Sequence, residues 1–163
     1  MTRLLTLTLT LFTGIALAAW QGQDHHTQMT ARGAAAMGFD QAATTHHFYL
    51  YEDGGAIQVT VNDVADVANL TAIQTHLPHI AQMFAAGDFS TPHFIHESDV
   101  PGTAAMTKLR GRINYVFQKM KNGGRVKIST SYLGARAAIH DFLRYQIVDH
   151  KTGDSLEITS LHE

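Results

Sequence analysis

Apolar and polar residues alternate at two neighbouring places in the chain. His46-His-Phe-Tyr-Leu-Tyr51 and Ile57-Gln-Val-Thr-Val61 flank Glu52-Asp-Gly-Gly55. A period of two residues is typical of a half-buried strand, and glycine supplies the positive φ angles of a tight turn, so the pattern predicts a β-hairpin. After the hairpin, apolar residues recur at the spacing of a helix, which predicts a helix that is kinked by Pro78 and ends at Gly87. Its apolar stripe consists of Leu70, Ile73, Leu77, Ile80 and Phe84.

The hairpin–helix pattern occurs twice, at an offset of about 69 residues, which indicates an internal duplication. The matches are Ala35-Ala36-Met37 with Ala104-Ala105-Met106, Phe48 with Phe117, Gly54-Gly55 with Gly123-Gly124, Ile57 with Val126 and Val59 with Ile128. Further along, the register slips, so that His76 matches His140 and Gln82 matches Gln146. A second helix is expected from about Gly134 to His150. We therefore predict an α+β fold whose duplicated ββα units form one antiparallel sheet with helices on one face.

The N-terminal segment is typical of a secretory signal peptide. Arg3 supplies a positive charge, Leu4 to Ile15 an apolar run, and Ala16-Leu17-Ala18 a cleavage pattern. The run is too short and too rich in threonine for a good membrane span. The protein is therefore expected to be exported, periplasmic or secreted, with no stable membrane insertion after signal removal. The predicted divisions are a signal peptide over 1–18, a flexible leader over 19–32 and a single domain over 33–163, whose repeats span about 34–92 and 103–154.

Composition excludes several classes of chemistry. The formal net charge is -2, which gives no electrostatic argument for nucleic acid as a partner. There is no cysteine, so disulfides and thiolate chemistry are excluded. Carboxylates lie mostly beside turns, and no nucleophile or nucleotide-binding motif occurs. Nothing in the sequence favours an enzyme, and it does not identify a protein partner.

Eleven histidines are the most informative feature of the composition, because imidazole is the commonest transition-metal ligand. Eight occur in close pairs: His25-His26, His46-His47, His76-x-x-His79 and His93-x-x-His96. Helical spacing places His76, His79 and Met83 along one edge of the first helix. The pair His46-His47 opens a strand and points to both of its faces, and His93 and His96 lie in a proline-bounded connector that leaves the helix. The predicted metal ligands are therefore His46, His47, His76, His79, Met83, His93 and His96.

Imidazole and thioether without thiolate favour copper, and zinc is the alternative metal. The leading hypothesis is a periplasmic protein that binds copper for metal handling or homeostasis. A second hypothesis is a binding module for haem or a small organic ligand, because Phe48, Tyr49 and Tyr51 lie next to histidine. A third is a structural or interaction protein whose histidines bind nothing.

Four segments carry a resemblance to a family of small exported bacterial proteins of unsettled function. They are Thr44-Thr-His-His-Phe48, the stretch from His76 to Asp88, Phe94-Ile-His96 and the stretch from Ala138 to Ile147. The resemblance covers about Gly33 to Asp154. It implies that His47, His76, His79, Met83 and His96 are shared with relatives, which often have methionine in place of His93. Some members are labelled aspartate carbamoyltransferase, but this chain lacks that enzyme's S-T-R-T phosphate motif, so the label is rejected.

Overall fold

The structure is a computed structural model that describes residues 27–160. The predicted signal peptide and the start of the predicted leader lie outside this range, as do His25, His26 and His162. Residues 27–37 form helix α1, in which Met29 is only 1% exposed. The sequence predicted a flexible leader that includes residues 27–32, whereas the structure describes them as helical, with Met29 buried. A single buried apolar residue in a polar stretch was too weak a signal.

The remaining elements confirm the predicted α+β fold. Their bounds are β1 Thr44–Tyr51, β2 Gly54–Val61, α2 Val67–Ala86, α3 Ser90–His96, α4 Thr103–Lys108, a short 3-10 turn Arg110–Arg112, β3 Asn114–Met120, β4 Gly123–Ser129 and α5 Leu133–His150. The strands form one antiparallel sheet in the order β1-β2-β4-β3. Helix α2 runs through Pro78 without ending, and the expected connector after it begins with helix α3. Within residues 27–160, no helix is long and apolar enough to cross a membrane.

An approximate two-fold axis relates the two hairpins. In the central pair of strands, Ile57 lies opposite Val126, its counterpart in the second repeat. The flanking pairs exchange under the same rotation, because Gly55 lies opposite Ile128 and Val59 lies opposite Gly124. The duplication read from the sequence is therefore expressed as internal symmetry of the sheet.

Each long helix covers the hairpin of the other repeat. Helix α2 packs mainly on β3 and β4, and α5 packs on β1 and β2. The glycines of the hairpins make room for this packing: a side chain at Gly124 would collide with Phe117 and press on Leu77, and one at Gly55 would collide with Leu143. The core therefore lies between the inner face of the sheet and the two helices.

Polar side chains on the helices hold the hairpin turns in the same way in both halves. The Gln74 side-chain amide donates to the carbonyl oxygens of Met120 and Gly123, at 2.9 and 3.1 Å. His140 Nε2 lies 2.9 and 3.0 Å from the Tyr51 and Gly54 carbonyl oxygens, and because carbonyls only accept, this nitrogen donates.

The register of the two helices follows from these contacts. The counterpart of His140 is Gln74, and the predicted match to His76 was wrong by two positions. In the corrected register the counterparts of Gln146 and His150 are Ile80 and Phe84. The helices then begin at equivalent positions, Val67 and Leu133.

Candidate functional site

A small, partly enclosed cavity lies between the sheet and the helices. Its volume is about 50 Å³, and its walls include Phe48, Ile57, Val59, Leu77, Ile80 and Phe142. Six polar side chains also line it: Gln41, His46, Thr91, His96, Gln146 and His150. In the described part of the chain, no lysine, arginine, aspartate or glutamate is among the lining residues. The cavity is thus mainly apolar, and its polar groups come from different elements.

Three imidazoles meet at this cavity. The His46 ring stacks on the His150 ring, with 6.0 Å between centroids and 13° between planes. The His150 ring is perpendicular to that of His96, at 5.0 Å. His46 lies near the start of β1 on the same face as Phe48, His96 ends α3, and His150 ends α5. The ends of three elements therefore bring them together.

His96 is held by a buried chain of hydrogen bonds. Its ring is 2% exposed, and Nδ1 lies 2.5 Å from a carboxylate oxygen of Asp149. Because a carboxylate only accepts, Nδ1 donates. The other ring nitrogen, Nε2, lies 3.1 Å from the amide of Gln146. The second polar atom of that amide is buried and has no partner among the described residues.

Burial changes the protonation of His46. Burial and, to a smaller extent, the charge of neighbouring His47 together lower the pKa of the ring from 6.5 to about 4. A buried imidazolium would have to leave water without an opposite charge beside it, which is costly. His46 is therefore neutral at pH 7 and presents one donor and one acceptor nitrogen.

A wider cleft adjoins the cavity. It has a volume of about 380 Å³ and shares Gln41, His46 and His150 with the inner cavity. Its remaining wall is rich in threonine hydroxyls and includes Thr44 and Thr45 from β1. The two spaces therefore meet at the stacked pair of imidazoles, and the outer one is the more polar.

Helix α2 carries the second histidine pair. The rings of His76 and His79 lie 6.3 Å apart, and Nε2 of His76 is buried without a partner among residues 27–160. Burial lowers the pKa of His76, and the charge of His79 adds to this effect. The Phe39 ring lies between this pair and β1, with centroids 6.3 Å from His76 and 5.9 Å from His46. An apolar ring therefore lies between the two histidine sites.

The other predicted ligands have separate surroundings. His47 lies on the opposite face of the sheet, where Nδ1 donates to Asp154 at 2.8 Å. His93 contacts Ser98 O at 3.0 Å and the Thr103 hydroxyl at 3.2 Å. Met83 packs against the core. Within the described range 27–160, no three His, Asp or Glu side chains lie close enough together to hold a metal ion.

Two residues of the site were not among the predicted site residues, Gln146 and His150. Both are polar at helix positions where the other repeat has the buried apolar residues Ile80 and Phe84. That contrast was the available signal, and the wrong helix register concealed it. Gln146 was matched to Gln82, which made it look like a shared feature of the repeats.

Comparisons with known proteins do not assign the chain to a family. No protein-family model matches the chain, and no significant match was found among curated proteins or among solved structures. The functional argument therefore rests on the site itself.

Proposed function

We propose that this protein is a binding module for a small organic molecule held in the inner cavity. The observation that carries the proposal is a partly enclosed apolar cavity into which a buried glutamine and three imidazoles converge. Binding sites for organic molecules are mostly apolar, with a few polar groups that fix orientation. The outer cleft then serves as the access route, past His46 and His150.

The internal duplication supports a functional origin for these polar groups. In the first repeat, Ile80 and Phe84 occupy the helix positions equivalent to Gln146 and His150, and both are buried. Helix–sheet packing at these positions is therefore satisfied by apolar side chains. A buried polar group costs free energy unless it is hydrogen-bonded, so a half-satisfied amide needs a reason outside the fold.

The size of the cavity limits the ligand. Its volume of about 50 Å³ is far below the roughly 300–1,000 Å³ of sites that hold drug-sized molecules. A haem, which the sequence left open, is much too large for it. The enclosed part of the ligand therefore has only a few non-hydrogen atoms, and any larger polar part would lie in the outer cleft.

Two matched substitutions on β2 test the site. Val59 and Val61 are both buried and face the core, but only Val59 lines the cavity. Xenon, which enters apolar cavities, should shift the methyl resonances of Ile57 and Leu77 in NMR spectra of the wild type. Val59→Leu fills the space and should reduce the shifts at least about fivefold, whereas Val61→Leu should leave them unchanged. If xenon gives no saturable shifts around the cavity of the wild type, the proposal is wrong.

Copper binding is the second candidate, and it is favoured by the buried Nε2 of His76, which has no partner within residues 27–160. His79 lies beside it and Met83 follows one turn later on α2, which is a donor set suited to Cu(I), with zinc as the alternative. Titration of the mature protein with Cu(I) and Cu(II) tests this candidate. Affinity should fall by at least about tenfold in His76→Ala/His79→Ala and should persist in His93→Ala, whose ring is already held by other groups. Equal affinity in all three proteins would reject this site.

Export belongs to both proposals. The predicted signal peptide over residues 1–18 lies outside the described residues, so periplasmic or secreted localisation rests on the sequence. Binding of neither xenon nor metal would instead favour the third hypothesis, a structural or interaction protein.

A further inference from the structure

Among the polar side chains that line the cavity, Gln146 is the one with a fully shielded polar atom that has no hydrogen-bond partner within residues 27–160. The residue is only 5% exposed, and one of its two polar atoms contacts His96. The other is shielded from solvent and has no partner in the described part of the chain. An unpaired buried polar atom costs about 1–3 kcal/mol. A ligand that supplies the missing partner would remove that cost.

The hydrogen bonds that run from Asp149 through His96 to Gln146 restrict whether the missing partner must be a donor or an acceptor. His96 donates from Nδ1 to Asp149, so a neutral ring accepts at Nε2 and needs the NH₂ group of Gln146. In that arrangement the amide oxygen is the free atom and requires a donor. If the ring carries a second proton, Nε2 donates to the amide oxygen and the NH₂ group is free. A hydroxyl satisfies either arrangement, because it both donates and accepts.

Charge restricts the ligand in a second way. Within residues 27–160, no lysine, arginine, aspartate or glutamate lines the cavity. An ammonium or carboxylate group there would be buried without a charged partner, which is costly. The negative charge of Asp149 lies behind His96 and is already engaged by it.

We propose that the ligand is a small uncharged molecule with a short apolar part and one hydroxyl group, and that Gln146 is its polar anchor. This inference rests on the proposed function, because it requires that the cavity admit an organic molecule. The assignment makes Gln146 a specificity-determining residue, held in place by His96 and Asp149.

Four probes of similar size test the inference on the wild-type protein. They are 1-propanol, 1-chloropropane, propanoate and propylammonium, each titrated and followed by NMR at neutral pH. 1-Propanol should bind about fivefold more tightly than 1-chloropropane, the gain expected of one hydrogen bond, and at least about tenfold more tightly than either ion. It should also shift the side-chain amide resonances of Gln146, which 1-chloropropane should not.

Two glutamine variants provide the matched comparison. Gln146→Met should remove the preference for 1-propanol over 1-chloropropane. Gln82→Met is the control, because Gln82 is an exposed glutamine on α2 that does not line the cavity. The preference should persist in this control. If Gln146→Met does not fold, the amide resonances of the wild type still decide the question.

The outcomes separate this inference from the proposed function. Equal binding of 1-propanol and 1-chloropropane, or tightest binding of an ion, would overturn the hydroxyl assignment and leave the cavity a binding site. Failure of all four probes and of xenon would overturn both. Binding of 1-propanol that leaves the Gln146 amide resonances unmoved would overturn the role of Gln146.

Discussion

Replacement of His46 should remove a defined part of the acid sensitivity of the fold. Burial holds the pKa of this ring at about 4, compared with 6.5 for an exposed histidine. Between these two values the unfolded chain binds a proton that the folded protein does not bind. The contribution of His46 to stability is therefore complete above about pH 6.5 and is lost as the pH falls towards 4.

The magnitude follows from the two pKa values. A difference of about 2.5 units corresponds to at most ~3 kcal/mol. Between about pH 7.5 and pH 5, linkage gives a loss of ~2 kcal/mol from this ring alone. The Phe39 and His150 rings both stack on the His46 ring and carry no carboxylate, and His47 adds repulsion when it is charged. The direction of the effect is therefore secure against the neighbouring groups.

Urea unfolding at the two pH values measures the effect. His46→Phe keeps an aromatic ring between Phe39 and His150 but cannot be protonated. On going from about pH 7.5 to pH 5, the free energy of unfolding should decrease by about 2 kcal/mol less in His46→Phe than in the wild type. His79→Gln, at an exposed position on α2, is the control: it removes only a charge that acts on His76, so its loss should stay closer to that of the wild type than to that of His46→Phe. Equal losses in wild type and His46→Phe would refute a buried neutral His46.

Two further predictions concern the frame around the site. Burial alone would raise the pKa of Asp154, but hydrogen bonds from Thr152, the Phe48 amide and His47 outweigh burial and lower it. Asp154→Asn should therefore lower the free energy of unfolding in urea by about 1–2 kcal/mol at neutral pH and speed hydrogen exchange of the Phe48 amide. Unchanged exchange would contradict the attachment of the C-terminal segment to β1. Gly55→Ala should lower the free energy of unfolding by more than about 2 kcal/mol, because the added Cβ would overlap the backbone of the neighbouring strand. Gly111 has open space around it, so Gly111→Ala should change the free energy of unfolding by no more than about 0.5 kcal/mol.

The fold was predictable because its determinants are local and occur twice. Alternation around Gly54-Gly55 and Gly123-Gly124 specified both hairpins, and the apolar stripes specified both long helices. The sheet order was harder, because it depends on contact between the repeats. Each helix packs on the hairpin of the other repeat, with α2 on β3 and β4. This arrangement determines which helix residues face which strands, and the sequence of one repeat does not contain it.

The site was only partly predictable. His46 and His96 were selected for their residue type, and both line the cavity. Gln146 and His150 were missed because a polar residue on a helix is usually exposed, and their position in the cavity wall depends on α5 crossing to the first hairpin. His47 was selected with His46, yet the alternation of a strand sends it to the other face, where Asp154 holds it.

The duplication separates residues that serve the fold from those that serve the site. Gln74 and His140 differ in type, but both donate to the same carbonyl pair of a hairpin turn, so the fold requires a donor there. Gln146 and His150 have no polar counterparts in the first repeat. The equivalent positions on α2 are the buried apolar residues Ile80 and Phe84. A duplicated fold thus contains its own control: positions at which both copies solve the same packing problem report on stability. Under the proposed function, positions at which only one copy has polar groups are the ones expected to contact a ligand, and Gln146 and His150 both line the cavity.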